Sequence, residues 1–376
     1  MDLPLINLII DRVFPLGAKL VPDAKKLAPE FRFWLINSKK GTRWIVPQNP
    51  NYGISILQQW RPYGTLSYWK WQLLLTAYRS KTLQYLPGVT SVGIVSDEDW
   101  NWRHLGYEEV HLFPVTYIGT PGPNRKAVVS LIESHKFQSV GIAKVPLSDN
   151  ATAKILQEAE ILASLANSKP GLAPQLLHLD PDKGIAVQTV KEGKLTQPNL
   201  TSAHISWFTR AEIPDLQTSL QEQVQPLKEQ LNVLDRIDPE MQGILNSVLT
   251  KIEDPTPLQS TWVHGDFTPW NLKLSSDRQL EAVDWEEAKY NGLPLQDLFH
   301  FQYIQSHLLE EKKDLLEATR NQSIVADYLE AIGIDLARYK QLAQFYLAES
   351  WLRCQEREDW DYADFLAAEI SQLVEP

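Results

Sequence analysis

Two short stretches constrain this chain more than anything else in it. They are His264-Gly265-Asp266-Phe267-Thr268-Pro269-Trp270-Asn271 and, thirteen positions on, Asp284 within Ala282-Val283-Asp284-Trp285-Glu286. Four residues separate Asp266 from Asn271, so one loop can present a carboxylate and an amide oxygen together, and Asp284 adds a second carboxylate. Hard oxygen donors of this kind suit Mg²⁺ bridging nucleotide phosphates, with one carboxylate left to act on a hydroxyl acceptor. The pattern reads as a phosphoryl-transfer centre in which Asp266 is the base and Asn271 and Asp284 hold the metal. Ser260-Thr261-Trp262-Val263 reads as the strand that enters the loop. Gly265 permits backbone angles that a side chain forbids, and Pro269 stiffens the span to Asn271. His264 is expected to bond loop backbone rather than exchange protons, because Asp266 already supplies the base.

These residues resemble the aminoglycoside phosphotransferase and choline kinase-like family, whose catalytic loop reads HGDxxxxN and whose metal motif reads (I/V)D(F/W)E. A chance match at five fixed positions has a probability of roughly one in ten thousand for a chain this long. Ala288 to Leu298 is similar to the family's continuation gdPxxDLa, which implies a supporting role for Asp297. The resemblance implies an α+β, bilobal protein kinase-like fold: a small β-rich N-lobe and a mainly helical C-lobe, here with an additional N-terminal α+β region. The expected division is 1–105 as the accessory region, 106–192 as the N-lobe with its nucleotide clamp, and 193–376 as the C-lobe with the catalytic loop and acceptor site. ATP and Mg²⁺ are the implied cofactors, and a small molecule bearing a hydroxyl is the implied partner.

A kinase-like N-lobe needs a phosphate-binding lysine, a glutamate to hold it and a covering loop. Phe137 to Val145 reads as a strand in which Gly-Ile-Ala-Lys resembles the family's lysine strand, so Lys144 is assigned to the phosphates. Ser148-Asp149-Asn150 then offers helix caps, and Ile155, Ala159, Leu162 and Ala166 recur at helical period. Glu158 stands where the family's glutamate falls and is expected to pair with Lys144, with Glu160 as its rival. Gly119 to Lys126 lies between two apolar runs and reads as a hairpin, in which Gly119 and Gly122 could approach phosphates although Pro121 and Pro123 remove amides. Ile185 to Val190 reads as the strand before a hinge, where the main chain of Gln188, Thr189 and Val190 would meet the adenine.

The net charge of −11 argues against nucleic acid and against anionic membrane surfaces, which leaves small molecules. Cys354 stands alone, so neither a disulfide within the chain nor a zinc cluster is expected. Asp11-Arg12 interrupts the apolar start, and no apolar run reaches about 18 residues, so a cytoplasmic location without signal peptide or membrane span is expected.

Before residue 105, Thr42–Pro47 and Ile54–Trp60 read as two strands joined at Asn51-Tyr52-Gly53, with a helix from Ser67 to Tyr85. Helices are expected at about 295–318, 322–332, 335–356 and 361–373 from their apolar period. Glu356, Glu358, Asp359, Asp361 and Asp364 are candidates for a cationic acceptor, and Trp351 and Trp360 for stacking on it. The functional expectation is an ATP- and Mg²⁺-dependent kinase of a small-molecule hydroxyl. The alternative is a catalytically silent nucleotide-binding regulator or scaffold; a protein kinase ranks below both, because HRD, DFG and APE signatures are missing.

Overall fold

Strand alternation organises the amino-terminal half. In successive residues Phe33 and Leu35 enter one apolar cluster while Trp34 and Ile36 enter another, as side chains of a strand with a period of two must when both faces are covered. The structure, a computed structural model, describes residues 3–22, 27–28, 31–60, 62, 65–96, 100–108, 110–234, 237–309 and 314–374. It divides into two compact units, one of Met1–Asn167 with Pro174–Lys191 and one of Ser168–Ala173 with Glu192–Pro376.

The first unit runs α1 (Leu3–Val13), β1 (Lys19–Val21), β2 (Arg32–Ser38), β3 (Gly41–Pro47), α2 (Pro50–Gln59), α3 (Thr65–Arg79), β4 (Val89–Val95), β5 (Leu112–Ile118), β6 (Lys126–Glu133), β7 (Gln138–Pro146), α4 (Asp149–Ser168), β8 (Leu176–Asp180) and β9 (Ile185–Gln188). Its nine strands form one antiparallel sheet in the order β1-β4-β2-β3-β5-β6-β7-β9-β8. The accessory region expected at 1–105 shares this sheet with the segment that follows it, because β3 pairs with β5 through Trp44–Tyr117 and Ile45–Thr116. Helix α1 covers one face through Ile6, Ile9, Ile10 and Val13, and α2 with α3 covers the other.

Ile54 to Trp60 is helical, not the strand its β-branched residues suggest. Asn49 caps the first turn, accepting from the Asn51 N–H at 3.2 Å, and Pro50 sits where a helix tolerates proline. Gly53 then permits α2 to approach α3, since a Cβ there would stand 2.4 Å from the Tyr78 hydroxyl.

The second unit contains β10 (Lys194–Leu195), α5 (Ser202–Ala211), β11 (Glu212–Thr218), α6 (Leu220–Val233), α7 (Pro239–Lys251), β12 (Leu258–Val263), β13 (Leu272–Leu274), β14 (Leu280–Ala282), β15 (Lys289–Gly292), α8 (Gln296–Leu309), α9 (Leu315–Arg320), α10 (Ser323–Ala331), α11 (Leu336–Arg357) and α12 (Trp360–Val374). Two small three-stranded sheets, β10-β13-β14 and β11-β12-β15, frame the segment between β12 and β15. The helix expected over 295–318 is two, because Asp314 accepts from the Glu317 N–H and starts α9 afresh; residues 310–313 lie outside the described residues. Taken together, the β-rich first unit and mainly helical second unit form an α+β protein. Among the described residues no helix is long and apolar enough to cross a membrane.

His204 opens α5 inside a buried apolar setting, its ring 4.9 Å from that of Phe301. Nδ1 accepts from the Thr201 N–H at 3.1 Å, so the ring must stay neutral, and burial lowers its pKa from 6.5 to about 4. A depressed histidine contributes stability above pH 6.5 that is lost as pH falls toward 4. We therefore expect the unfolding free energy of wild type relative to His204→Gln to fall by about 2 kcal/mol between pH 7.5 and pH 5. Urea unfolding of both proteins at the two pH values measures this; an unchanged difference would contradict it.

Candidate active site

The segment after β12 is held by main-chain bonds to one carboxylate. Asp297, in the first turn of α8, accepts from the His264 N–H at 2.7 Å and from the Gly265 N–H at 3.0 Å. Burial pushes this carboxyl up, opposed by His264 and the two N–H donors. Gly265 adopts φ +78°, and a Cβ on it would lie 2.4 Å from the Glu287 carbonyl oxygen, so no other residue fits. The fully buried His264 accepts at Nδ1 from the Asp266 N–H at 3.3 Å and donates from Nε2 to the Val283 carbonyl at 3.0 Å. Both ring nitrogens are spent on backbone, and the Trp285 ring packs edge-on at 4.8 Å. Phe267 anchors the loop between the rings of Trp207 and Phe208 at 4.4 and 5.3 Å.

Asp266 is thereby presented on a fixed loop with its side chain 37% exposed, open to an acceptor. Asn271 Nδ2 donates to the Asp266 carbonyl at 3.0 Å and to Asp266 Oδ2 at 2.9 Å. The other carboxylate oxygen, Oδ1, lies 3.3 Å from His300 Nε2. His300 Nδ1 lies 3.2 Å from the Tyr346 hydroxyl, which in turn lies 3.1 Å from that of Tyr362. Burial raises the Tyr346 pKa to about 12 and that of Tyr362 well above its usual value, so both hydroxyls keep their protons near neutrality. A carboxylate oxygen only accepts, so the contact at Oδ1 calls for a proton on His300 Nε2, aimed at Asp266. Sequence reading missed His300, Tyr346 and Tyr362; the only local signal was a histidine one helical turn after Asp297, on the same face of α8.

Arg353 of α11 donates to the Gly265 carbonyl at 3.0 Å and so braces the loop from a second side. Glu349, one turn earlier, pairs with Lys289 and accepts from Gln296 Nε2 at 2.5 Å. Burial alone would raise the Glu349 carboxyl, but Lys289 and Arg353 hold it below its ordinary value.

Asn271 and Asp284 are brought together through backbone. The Val283 N–H donates to the Asn271 carbonyl at 2.8 Å as the β13–β14 ladder ends, and Asp284 follows at φ +69°. Aspartate tolerates the left-handed region better than most residues. The Asn271 amide nitrogen is turned to Asp266, which leaves Oδ1 out of that contact, and amide and carboxylate oxygens are the donor types a hard cation takes. Among the described residues no group of three or more His, Cys, Asp and Glu side chains gathers as a metal site, so this pair would depend on phosphate and water oxygens to complete the shell.

In the first unit Lys144 of β7 meets Glu158 of α4. Nζ lies 2.7 Å from Oε1 and 2.5 Å from Oε2, with both side chains buried, while Glu160 is exposed. Ser148 caps α4 by accepting from the Ala151 N–H at 3.2 Å, which sets the helix phase that turns Glu158 inward. Gly119 donates its N–H to the Lys126 carbonyl at 2.9 Å and closes the β5–β6 hairpin, whereas Gly122 stands at an open turn. Gln188 lies in the β9 ladder opposite Ile142, the Thr189 N–H is taken by the Gln175 carbonyl at 2.8 Å, and Val190 follows partly exposed.

The acceptor candidates fall elsewhere. Trp351, Trp360 and Asp364 line a cleft of about 410 Å³ with Asp238, Glu240 and Met241. Trp351 and Gln355 lie about 140° and 180° round α11 from Tyr346, so this cleft opens on the side of the helix away from His300 and Asp266. Glu356 bonds Gln230 Nε2 at 2.7 Å, and Asp361 lies 3.5 Å from His307.

Residues 200–342 match the family model described as the phosphotransferase enzyme family, a span that includes Asp266, Asn271, Asp284, Asp297 and His300. No curated protein matches the chain by sequence. Solved structures that it resembles include the macrolide 2'-phosphotransferase MphH from Brachybacterium faecium as apoenzyme (12% identity, 71% of this chain and 95% of that one, TM-score 0.47). Others are the GDP and kanamycin complex of APH(2")-IIia (13%, 69% and 92%, 0.46) and the choline kinase LicA from Streptococcus pneumoniae (15%, 65% and 88%, 0.43).

Gly265→Ala combines a left-handed backbone with a clash against main chain, and is expected to cost about 1–3 kcal/mol. Thermal or urea unfolding measures the loss. Gly122→Ala, at an open turn, serves as the control and is expected to change stability by less than about 0.5 kcal/mol.

Proposed function

We propose that the chain, whose residues 200–342 match the phosphotransferase enzyme family model, is a nucleotide-dependent kinase that phosphorylates a hydroxyl of a small molecule. The observation that carries this reading is the carboxylate of Asp266, held by Asn271 on one oxygen and facing His300 on the other while more than a third exposed. Such a group can orient an acceptor hydroxyl and take its proton as the acceptor oxygen bonds the terminal phosphorus and the nucleoside diphosphate leaves. Asn271 and Asp284 would hold Mg²⁺, which when bound neutralises charge on the phosphate oxygens. Lys144, fixed by Glu158, would engage the nucleotide phosphates, and Gly122 marks the loop that would lie over them. ATP is the proposed donor, with Gln188, Thr189 and Val190 offering main chain to the base; since the Thr189 N–H is already bonded, the Thr189 carbonyl and Val190 N–H are the groups proposed to meet it. Fixed charges and dipoles supply most of the acceleration on this account.

His300 is proposed as a positioning residue: its Nε2–H fixes the rotamer of Asp266, and Tyr346 meets its Nδ1.

Release of ADP with a panel of sugars, amino alcohols and aminoglycosides tests the activity. Asp266→Asn is expected to lower turnover by roughly 10²–10⁴-fold while nucleotide affinity stays within about twofold; full turnover in that variant refutes the base assignment. His300→Phe should lower kcat about tenfold with little change in the nucleotide KM, and His300→Gln, which keeps an N–H donor, should recover part of it. Nucleotide binding without release for any acceptor would favour a silent regulator.

A further inference from the structure

Residues 31–96 contain no aspartate and no glutamate, although about eight would be expected at the chain's overall frequency. The same stretch holds eight Lys and Arg, a charge of +8 in a chain whose net is −11. The whole-chain balance therefore hides a segment of opposite sign, and its fold adds a second feature.

Helix α3 is apolar on two sides. Its inner side packs Trp71, Leu74, Leu75 and Tyr78 into the cluster beneath it. Its outer side carries Leu66, Trp69 and Leu73 at spacings of three and four, which puts them on one stripe. They are 70%, 66% and 58% exposed. Single exposed apolar residues are ordinary, but three in register on one helix are not a scatter. Lys70 lies on the same stripe, and Arg79 and Lys81 are exposed where the helix ends.

We propose that α3 is a docking surface for an anionic phospholipid bilayer, with Leu66, Trp69 and Leu73 entering the boundary between headgroups and acyl chains and with Lys70 on their stripe and Lys81 beyond the helix end facing the phosphates. Cations attract the surface from a distance, apolar side chains give the attachment depth, and an indole suits the interface because one edge is polar and the rest is not. The lack of acidic residues from 31 to 96 fits this occupant, since a carboxylate near such a surface is both repelled and desolvated. A nucleic acid would use the cations and could stack on Trp69, but gives no role to Leu66 and Leu73. The helix rests on the membrane without crossing it, being 15 residues and about 22 Å long against a hydrocarbon core of about 30 Å.

Full-length protein sedimented with vesicles of phosphatidylcholine, alone or mixed with phosphatidylserine, tests the proposal. Binding is expected only to the mixed vesicles and should weaken as salt rises. Leu66→Ser/Trp69→Ser/Leu73→Ser should lower the partition coefficient roughly a hundredfold or more. Lys70→Glu/Lys81→Glu should lower it about tenfold. Both variants change only exposed side chains, and wild-type circular dichroism and unfolding midpoints establish that they are folded. Failure to bind mixed vesicles overturns the proposal, as does equal binding to both vesicle types. So does binding that the apolar variant leaves unchanged, or binding to heparin as tight as to vesicles, either of which would assign the segment to a soluble polyanion.

Discussion

A single buried carboxylate sets the geometry on which the second unit depends. Asp297 takes both the His264 and the Gly265 N–H, so two successive peptide groups are fixed in direction before the chain reaches Asp266. Two N–H donors on one carboxylate here replace the sheet pairing that β12 loses at its end. The left-handed turn at Gly265 follows from this arrangement, and so does its intolerance of a side chain, because the Glu287 carbonyl fills the space a Cβ needs.

Around that fixed loop several polar contacts hold main chain and side chains in place. His264 uses both nitrogens on backbone, Arg353 braces the Gly265 carbonyl, and Asn271 and His300 each face one oxygen of Asp266. The buried Lys144–Glu158 pair in the first unit follows the same logic. A charge pair removed from water contributes little to stability on balance, yet removing one partner leaves an uncompensated charge at a cost of about 3–5 kcal/mol. Such pairs hold a side chain in one place, as the role proposed for Lys144 requires.

Much of this was legible in the residues themselves. The strand–loop spacing of His264, Asp266, Asn271 and Asp284 pointed to the loop, and the family resemblance favoured Glu158 over its rival Glu160, the pairing with Lys144 that the structure has. Other parts were not. Ile54 to Trp60 has strand-like composition but follows Asn49-Pro50, a cap and first-turn pair that outweighed it. His300 looks like any polar residue on a helix until Tyr346, forty-six positions away, meets its Nδ1. The carboxylates and indoles of α11 and α12 carry no local mark of the face they take; the phase of α11 turns Trp351 away from Tyr346.

The sequence by itself determined the local chemistry: which side chains carry oxygen donors, which loop holds them and where charge is concentrated, because these follow from residue identity and short spacing. Only the tertiary structure decided that residues before and after position 105 share one nine-stranded sheet, that Asp297 and Arg353 grip the same loop, and that Leu66, Trp69 and Leu73 stay outside the core. The reason is physical. Pairing of strands and choice of buried face depend on what is packed opposite, and that partner lies far away along the chain, where no local spacing can register it.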